Sequence, residues 1–255
     1  MVAEQDPYHR TAAFFDVDRT LLRGSSLLRL ARPMHRAGLL PTRAMLRSLF
    51  VQVRFSLHGF DEVQIREAVR GAGALVAGVD SDRLLHFAER TIPDRVLPRV
   101  YPEARARIRW HRERGDLVFL VSSSPRQFVT VLGSLLGVDG VAATDAELRD
   151  GRYTGHILRF CHGSAKAESV RELAAAHGVD LAVSYAYGDS FVSDLAMLET
   201  VGHPVCVNPD TALAAHAAAC GWPVERFRSA AVPPVTGWRR VPHHVRRHAR
   251  SLREL

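Results

Sequence analysis

Apolar residues follow two spacings along this chain, and the alternation between them sets the expected architecture. Short continuous apolar runs stand at Ala12 to Phe15, Leu117 to Val121, Val141 to Thr144, Leu181 to Tyr187 and His203 to Val207. Runs of that length between polar or turn-forming residues read as buried strands. Between them the apolar residues fall at helical spacing, over Pro125 to Leu136, Ser164 to His177 and Thr211 to Cys220, with Ser164 as the expected cap of the second. Strands alternating with helices predict a parallel sheet covered on both faces. Asp150-Gly151 between Leu148 and Tyr153 departs from that rhythm and signals a β-hairpin. From Ser25 to Asp94 no strand pattern intervenes. Apolar stripes there (Leu27, Leu28, Leu30; Leu46, Leu49, Phe50, Val53; Val63, Ile65, Val69) are broken at Gly38-Leu39-Leu40-Pro41 and Gly71-Ala72-Gly73, which predicts an all-helical insertion. The expected fold class is therefore α/β: a Rossmann-like parallel sheet core flanked by helices, with an inserted helical domain and a small hairpin.

Length and composition agree with one such core plus an insertion. At 255 residues and 47% hydrophobic the chain can bury a sizeable core and is long for one simple doubly wound sheet. No run approaches the roughly 20 apolar residues of a membrane span, and the polar first residues carry no signal-peptide pattern. Cys161, Cys206 and Cys220 show no paired spacing and suit a reducing compartment, so the cytoplasm is the expected location. Cys161, His162 and His156 do not match tetrahedral metal spacing, and a structural role is expected there. The net charge of +7 is uneven: six arginines against one glutamate give the last seventeen residues +5, leaving +2 for the rest. That tail is read as a solvated terminus, with contact to an anionic membrane surface as the alternative. Without interleaved aromatics, no nucleic-acid partner is expected.

The chemistry gathers where strands end. The first run exits into Asp16-Val17-Asp18-Arg19-Thr20, and alternation along an extended chain puts Asp16 and Asp18 on one side. Two carboxylates held that close imply a neutralising divalent cation, and magnesium accepts such a set together with phosphate oxygens. The second run exits into Ser122-Ser123-Ser124-Pro125 ahead of a helix, an arrangement that offers hydroxyls and backbone N–H groups to an anion. The Leu181 to Tyr187 run ends in Gly188-Asp189-Ser190 and reaches Asp194. Ligands of open parallel sheets bind at these carboxyl ends. Lys166 completes the set. Every other basic position of the 34 lysines and arginines is arginine, and the compact ammonium of lysine is not interchangeable with a guanidinium fork.

Together these residues resemble the haloacid dehalogenase superfamily, and within it the phosphoserine-phosphatase-like branch. The resemblance runs from Asp16-Val17-Asp18-Arg19-Thr20 through Ser122 and Lys166 to Gly188-Asp189-Ser190 and Asp194. It implies Asp16 as the nucleophile that carries the phosphoryl group and Asp18 as general acid, then base. Thr20, Ser122 and Ser123 would bind the phosphate and Lys166 would neutralise charge beside Asp16. Asp16, Asp18 and Asp189 would hold Mg2+, with Asp194 bracing that shell. The helical insertion would be the branch's cap, which gives 8–24 and 95–227 as the catalytic core, 25–94 as the cap and 228–255 as the basic tail. Two positions depart from the family pattern. Arg19 stands where glycine is common, a strained choice if φ is positive, and four residues separate Asp189 from Asp194 where close relatives often have three.

The same assignments satisfy the demands of phosphoryl transfer, which needs an in-line nucleophile and neutralised phosphoryl oxygens. The expected activity is Mg2+-dependent hydrolysis of a small phosphorylated metabolite. A phosphotransferase or phosphomutase, and a non-catalytic phosphate-binding regulator docked through the tail, stand as alternatives. Arg23, Ser25, Ser26, Arg54 and His58 are candidates for leaving-group selection by position.

Overall fold

The computed structural model describes residues 10–40, 73, 74 and 76–228. Seven strands form one sheet in the order β4-β3-β2-β1-β5-β6-β7. They are β1 (Ala12–Phe15), β2 (Leu117–Pro125), β3 (Gly140–Arg149), β4 (Arg152–Arg159), β5 (Tyr185–Gly188), β6 (His203–Val207) and β7 (Val224–Glu225). All neighbours pair in parallel except the β3–β4 hairpin. Described helices are α1 (Ser26–Arg36), α2 (Ser81–Arg95), α3 (Pro102–Glu113), α4 (Arg126–Leu136), α5 (Ser164–His177), α6 (Phe191–Leu198) and α7 (Thr211–Cys220).

The central strand shows why a continuous apolar run was the right signal. Ala13 and Phe15 enter one buried cluster with Ile92 of α2, Ile108 of α3 and Phe128 of α4. Ala12 and Phe14 enter the other with Val170 of α5, Met197 of α6 and Leu213 of α7. With both faces covered, alternation has no polar position to offer. The predicted α/β class with its hairpin is what the chain adopts. Asp150 and Gly151 both take positive φ, 52° and 75°, as a two-residue turn matched to strand twist requires.

Three boundaries differ from the sequence expectation. The run from Leu181 begins as a 3-10 turn, Leu181–Val183, because the Asp180 side chain accepts from Ala182 N. Strand pairing with β1 starts only at Tyr185. Ser164 is the first residue of α5 and not its cap: Gly163 occupies that position with φ 56°, and no side-chain cap bond is made. The second strand continues through the serine run to Pro125, shifting register against β3 between Ser122 and Pro125. Helices α1 and α2 occupy the two ends of the interval 25–94 expected to be all-helical. The stripes from Leu46 to Val69, the candidates Arg54 and His58, and the arginines of the tail lie outside the described residues. Among the described residues no helix is long and apolar enough to cross a membrane.

Beneath the carboxyl ends of β1 and β5 lies a buried polar chain that the sequence did not announce. The Phe15 and Tyr187 rings stack with centroids 4.3 Å apart. Tyr187 Oη lies 2.9 Å from His111 Nε2, and His111 Nδ1 lies 2.8 Å from Asp116 Oδ2. Each of these strand residues immediately precedes active-site chemistry, Phe15 before Asp16 and Tyr187 before Gly188-Asp189.

Candidate active site

Asp16 leaves β1 with its backbone N–H donating to Tyr187 O at 2.9 Å, so the first and fifth strands fix it jointly. Its side chain is buried and meets Lys166, whose Nζ donates to Asp16 Oδ1 at 2.5 Å and to Asp194 Oδ1 at 2.7 Å. Lys166 is fully buried, so its charge is matched within the protein. Asp194 is saturated: its Oδ2 accepts from Asp189 N at 2.9 Å and Ser190 N at 3.0 Å. Gly188 is required for that closure, since a Cβ there would sit 2.6 Å from Asp194 Cβ.

Asp18 belongs to different surroundings. Its Oδ1 accepts from Ser26 N at 2.8 Å, and its Oδ2 from Ser26 Oγ at 3.1 Å and Ser124 Oγ at 3.4 Å. Ser122 Oγ accepts from Ser124 N at 3.1 Å, and the Ser123 carbonyl accepts from Thr144 Oγ1 at 2.7 Å. The serine run is thus a scaffold in which Ser122 and Ser124 lie under the site. Thr20 Oγ1 donates to Asp189 Oδ1 at 3.4 Å. Arg19 does adopt positive φ, 68°, and its Nη2 lies 2.7 Å from Asp189 Oδ2.

Electrostatics separate the four carboxylates. Burial pushes Asp16 up to about 7, against the pull of Lys166. Burial also raises Asp18, against its hydrogen bonds from Ser26 and Ser124. Asp189 is raised well above the ordinary range by burial and then by the charges of Asp194 and Asp16. Asp194 moves the other way: burial opposes its charge, but Lys166 and the backbone donors hold it below the usual carboxylate range. Lys166 is likewise held above its ordinary value by Asp16 and Asp194 despite burial. Three buried carboxylates, Asp16, Asp189 and Asp194, thus face two cations, Lys166 and Arg19, a deficit of one positive charge.

Among the described residues, the acidic, histidine or cysteine side chains that converge closely enough for a metal are Asp16, Asp189 and Asp194, with one oxygen from each within 4.8 Å of the others. Of the sequence-predicted set, Asp16 and Asp189 therefore converge, whereas the Asp18 carboxylate faces Ser26 and Ser124. The charge deficit and the raised Asp16 and Asp189 fit a bound cation such as a divalent metal.

The roles of three supporting residues escaped the sequence reading. Ser124 shares a face with Ser122 by strand alternation, so its signal was present. Ser26 was named only as a leaving-group candidate, and its grip on Asp18 depends on a loop closure with no local pattern. Asp210 ties the loop after β5 to α7: its backbone N donates to Asp189 O at 2.8 Å, and its side chain accepts from Phe191 N and Leu213 N.

A doubly covered parallel sheet with an aspartate pair at the exit of its central strand, a buried lysine and a second acidic pair defines a hydrolase class. The chain belongs to the haloacid dehalogenase-like hydrolase family, which matches residues 13–199. It is 40% identical over 221 residues to a probable phosphatase of Mycobacterium tuberculosis, covering 87% of this chain and 77% of that protein. It is 39% identical to the inhibition of morphological differentiation protein of Streptomyces azureus, covering 91% and 83%. A phosphoserine phosphatase of Mycobacterium tuberculosis is 33% identical, covering 89% and 74%. Among solved structures, a Bordetella pertussis protein of unknown function superposes with TM-score 0.73 at 30% identity, over 85% of this chain and 98% of that one. A substrate-bound phosphoserine phosphatase shares the fold with TM-score 0.58 at 20% identity, over 81% and 90%.

Proposed function

We propose that this protein is a divalent-metal-dependent phosphomonoesterase that works through a phosphoryl group carried on Asp16. The carrying observation is the contrast between two aspartates one residue apart: Asp16 held by a buried ammonium, Asp18 held by hydroxyls and one backbone N–H. In the first displacement a carboxylate oxygen of Asp16 bonds to phosphorus as the bond to the leaving oxygen breaks. Asp18, its pKa raised by burial, gives its proton to that oxygen. In the second, Asp18 takes a proton from water, the water oxygen bonds to phosphorus, and the bond to Asp16 breaks to release phosphate. Lys166 keeps Asp16 oriented and its charge matched throughout.

A bound Mg2+ would be held by Asp16 and Asp189 and would neutralise phosphoryl oxygens. Thr20, Ser122 and Ser123 are proposed to face the phosphate, and Asp194 to brace Lys166 and the Asp189 loop. Residues 25–94 are assigned as a cap over a core of 8–24 and 95–227, with 228–255 as a basic tail. The names of the Mycobacterium tuberculosis relatives support a phosphatase, and a small phosphorylated metabolite is the substrate this site fits.

The test is phosphate release from a panel of phosphorylated metabolites, with and without Mg2+, for the parent and Asp16→Asn. Mg2+-dependent release that Asp16→Asn abolishes is the expected result. Retained turnover in that variant would refute the nucleophile, and product appearing only with an added alcohol acceptor would make the protein a phosphotransferase.

A further inference from the structure

Three arginines crowd the loop that joins Asp18 to Ser26, and no carboxylate among the described residues forms an ion pair with them. Arg23 N donates to Arg99 O at 2.9 Å, and Arg29 Nη2 donates to the Arg23 carbonyl at 2.8 Å. Arg29 lies over Gly24, where φ is +80° and an added Cβ would stand 3.5 Å from Nη2. The loop closes on Asp18 through Ser26 N, so the cluster sits on the side of the site that meets the leaving group.

Some arginines elsewhere are ion-paired, Arg159 with Glu172, Arg107 with Glu225 and Arg126 with Asp145. Among the described residues, Arg23, Arg29 and Arg99 form no ion pair with a carboxylate. Arg29 also buries its Nε without any hydrogen-bond partner, a donor left open where an unmade bond is costly. Burial and the like charges of Arg99 and Arg23 lower the Arg29 pKa, with Asp18 the opposing influence. Uncompensated guanidiniums with an open donor beside a catalytic cleft are the footprint of an anion.

We propose that Arg23, Arg29 and Arg99 form an anion subsite for the leaving group, so that the preferred substrate is a phosphomonoester whose alcohol carries a second acidic group, carboxylate or phosphate, and net negative charge. This rests on the phosphomonoesterase reading above and narrows it. A zwitterionic leaving group gains less from three cations than an anionic one of equal size, and a neutral one gains least.

The experiment compares kcat/KM with Mg2+ for matched alkyl phosphates: 3-phosphoglycerate, propanediol bisphosphate, phosphoserine and glycerol 1-phosphate. The two anionic compounds should exceed glycerol 1-phosphate by about tenfold or more, mainly through KM, as a charge-assisted hydrogen bond supplies. The faster of the two identifies the acidic group. Arg29→Gln and Arg99→Gln should bring that ratio towards one, and Arg29→Lys should keep part of it. A parent ratio of one, or variants that lower all four compounds equally, overturns the subsite. If the parent hydrolyses none of them, the phosphatase reading fails instead. The subsite is then read by calorimetry on Asp16→Asn with 3-phosphoglycerate and glycerol 1-phosphate: preferential binding of the former, lost on adding Arg29→Gln, supports it, and equal binding overturns it.

Discussion

The two sides of this site solve opposite problems. Around Lys166 every charge has a fixed partner: the ammonium bridges Asp16 and Asp194, and Asp194 uses its other oxygen on two backbone donors. Around Asp18 the partners are one backbone N–H, of Ser26, and two hydroxyls, Ser26 and Ser124, which can reorient as a proton comes and goes, and among the described residues the nearby arginines form no ion pair. A nucleophile needs fixed position and charge, whereas a group that donates and then accepts a proton needs neighbours indifferent to its state. On the proposed mechanism, the contrast separates holding from proton transfer by burial of unlike partners, not by distance along the chain.

The largest disturbance of that contrast is Lys166→Met. It strips the fixed side of its cation and leaves Asp16 and Asp194 buried without their partner. Breaking one member of such a buried pair costs about 3–5 kcal/mol, so the urea midpoint should fall accordingly and turnover should be lost. A loss of under about 1 kcal/mol would mean the bridge is not a desolvated pair at all. On the mobile side, Asp18→Asn should lower turnover of alkyl phosphates about 10²–10⁴-fold. The fall should be smaller for p-nitrophenyl phosphate, whose leaving group needs less protonation. Equal falls on both esters would remove Asp18 as the acid.

The metal sharpens the comparison through pH. Asp16 has a folded pKa raised from 3.8 to about 7. The stability this contributes without metal is present below 3.8 and is lost as pH rises through about 7, where the buried carboxylate ionises without enough positive charge. Mg2+ held as proposed by Asp16 would compete with that proton. The Mg2+-induced rise in melting temperature should therefore be small at pH 5 and larger at pH 8, and a rise independent of pH would separate Asp16 from metal binding.

How much of this the sequence disclosed follows the same division. The fixed side was legible, because its parts are strand exits and one chemically singular residue: Asp16, Lys166, Asp189 and Asp194 could be named from spacing and resemblance, and they do converge. The mobile side was legible only in Asp18. Its partners are brought by loop closure from Ser26, which leaves no periodic trace, and by the extension of β2 through Ser124, whose one trace is its alternation with Ser122. The same holds for the 3-10 turn at Leu181, where an apolar run was overridden by the side-chain bond from Asp180, and for Gly163, whose φ of 56° took the cap from Ser164. The Tyr187–His111–Asp116 chain joins β5, α3 and the loop before β2, and no local pattern could have assembled it.

Arg19 is where the two sides meet, and it carries the smallest and most discriminating prediction. A non-glycine residue held at φ 68° costs on the order of 1 kcal/mol, a cost repaid here by the 2.7 Å contact between its guanidinium and Asp189. That contact places a removable positive charge on a carboxylate that Mg2+ is also proposed to use. Arg19→Gly should relieve the backbone strain and withdraw the competing cation, so Mg2+ should bind several-fold tighter by calorimetry, with metal-free stability changed by about 1 kcal/mol or less. Weaker Mg2+ binding in the glycine variant would reverse the reading: Arg19 would then hold Asp189 in place for the metal, and the half-exposed guanidinium would belong to the fixed side of the site.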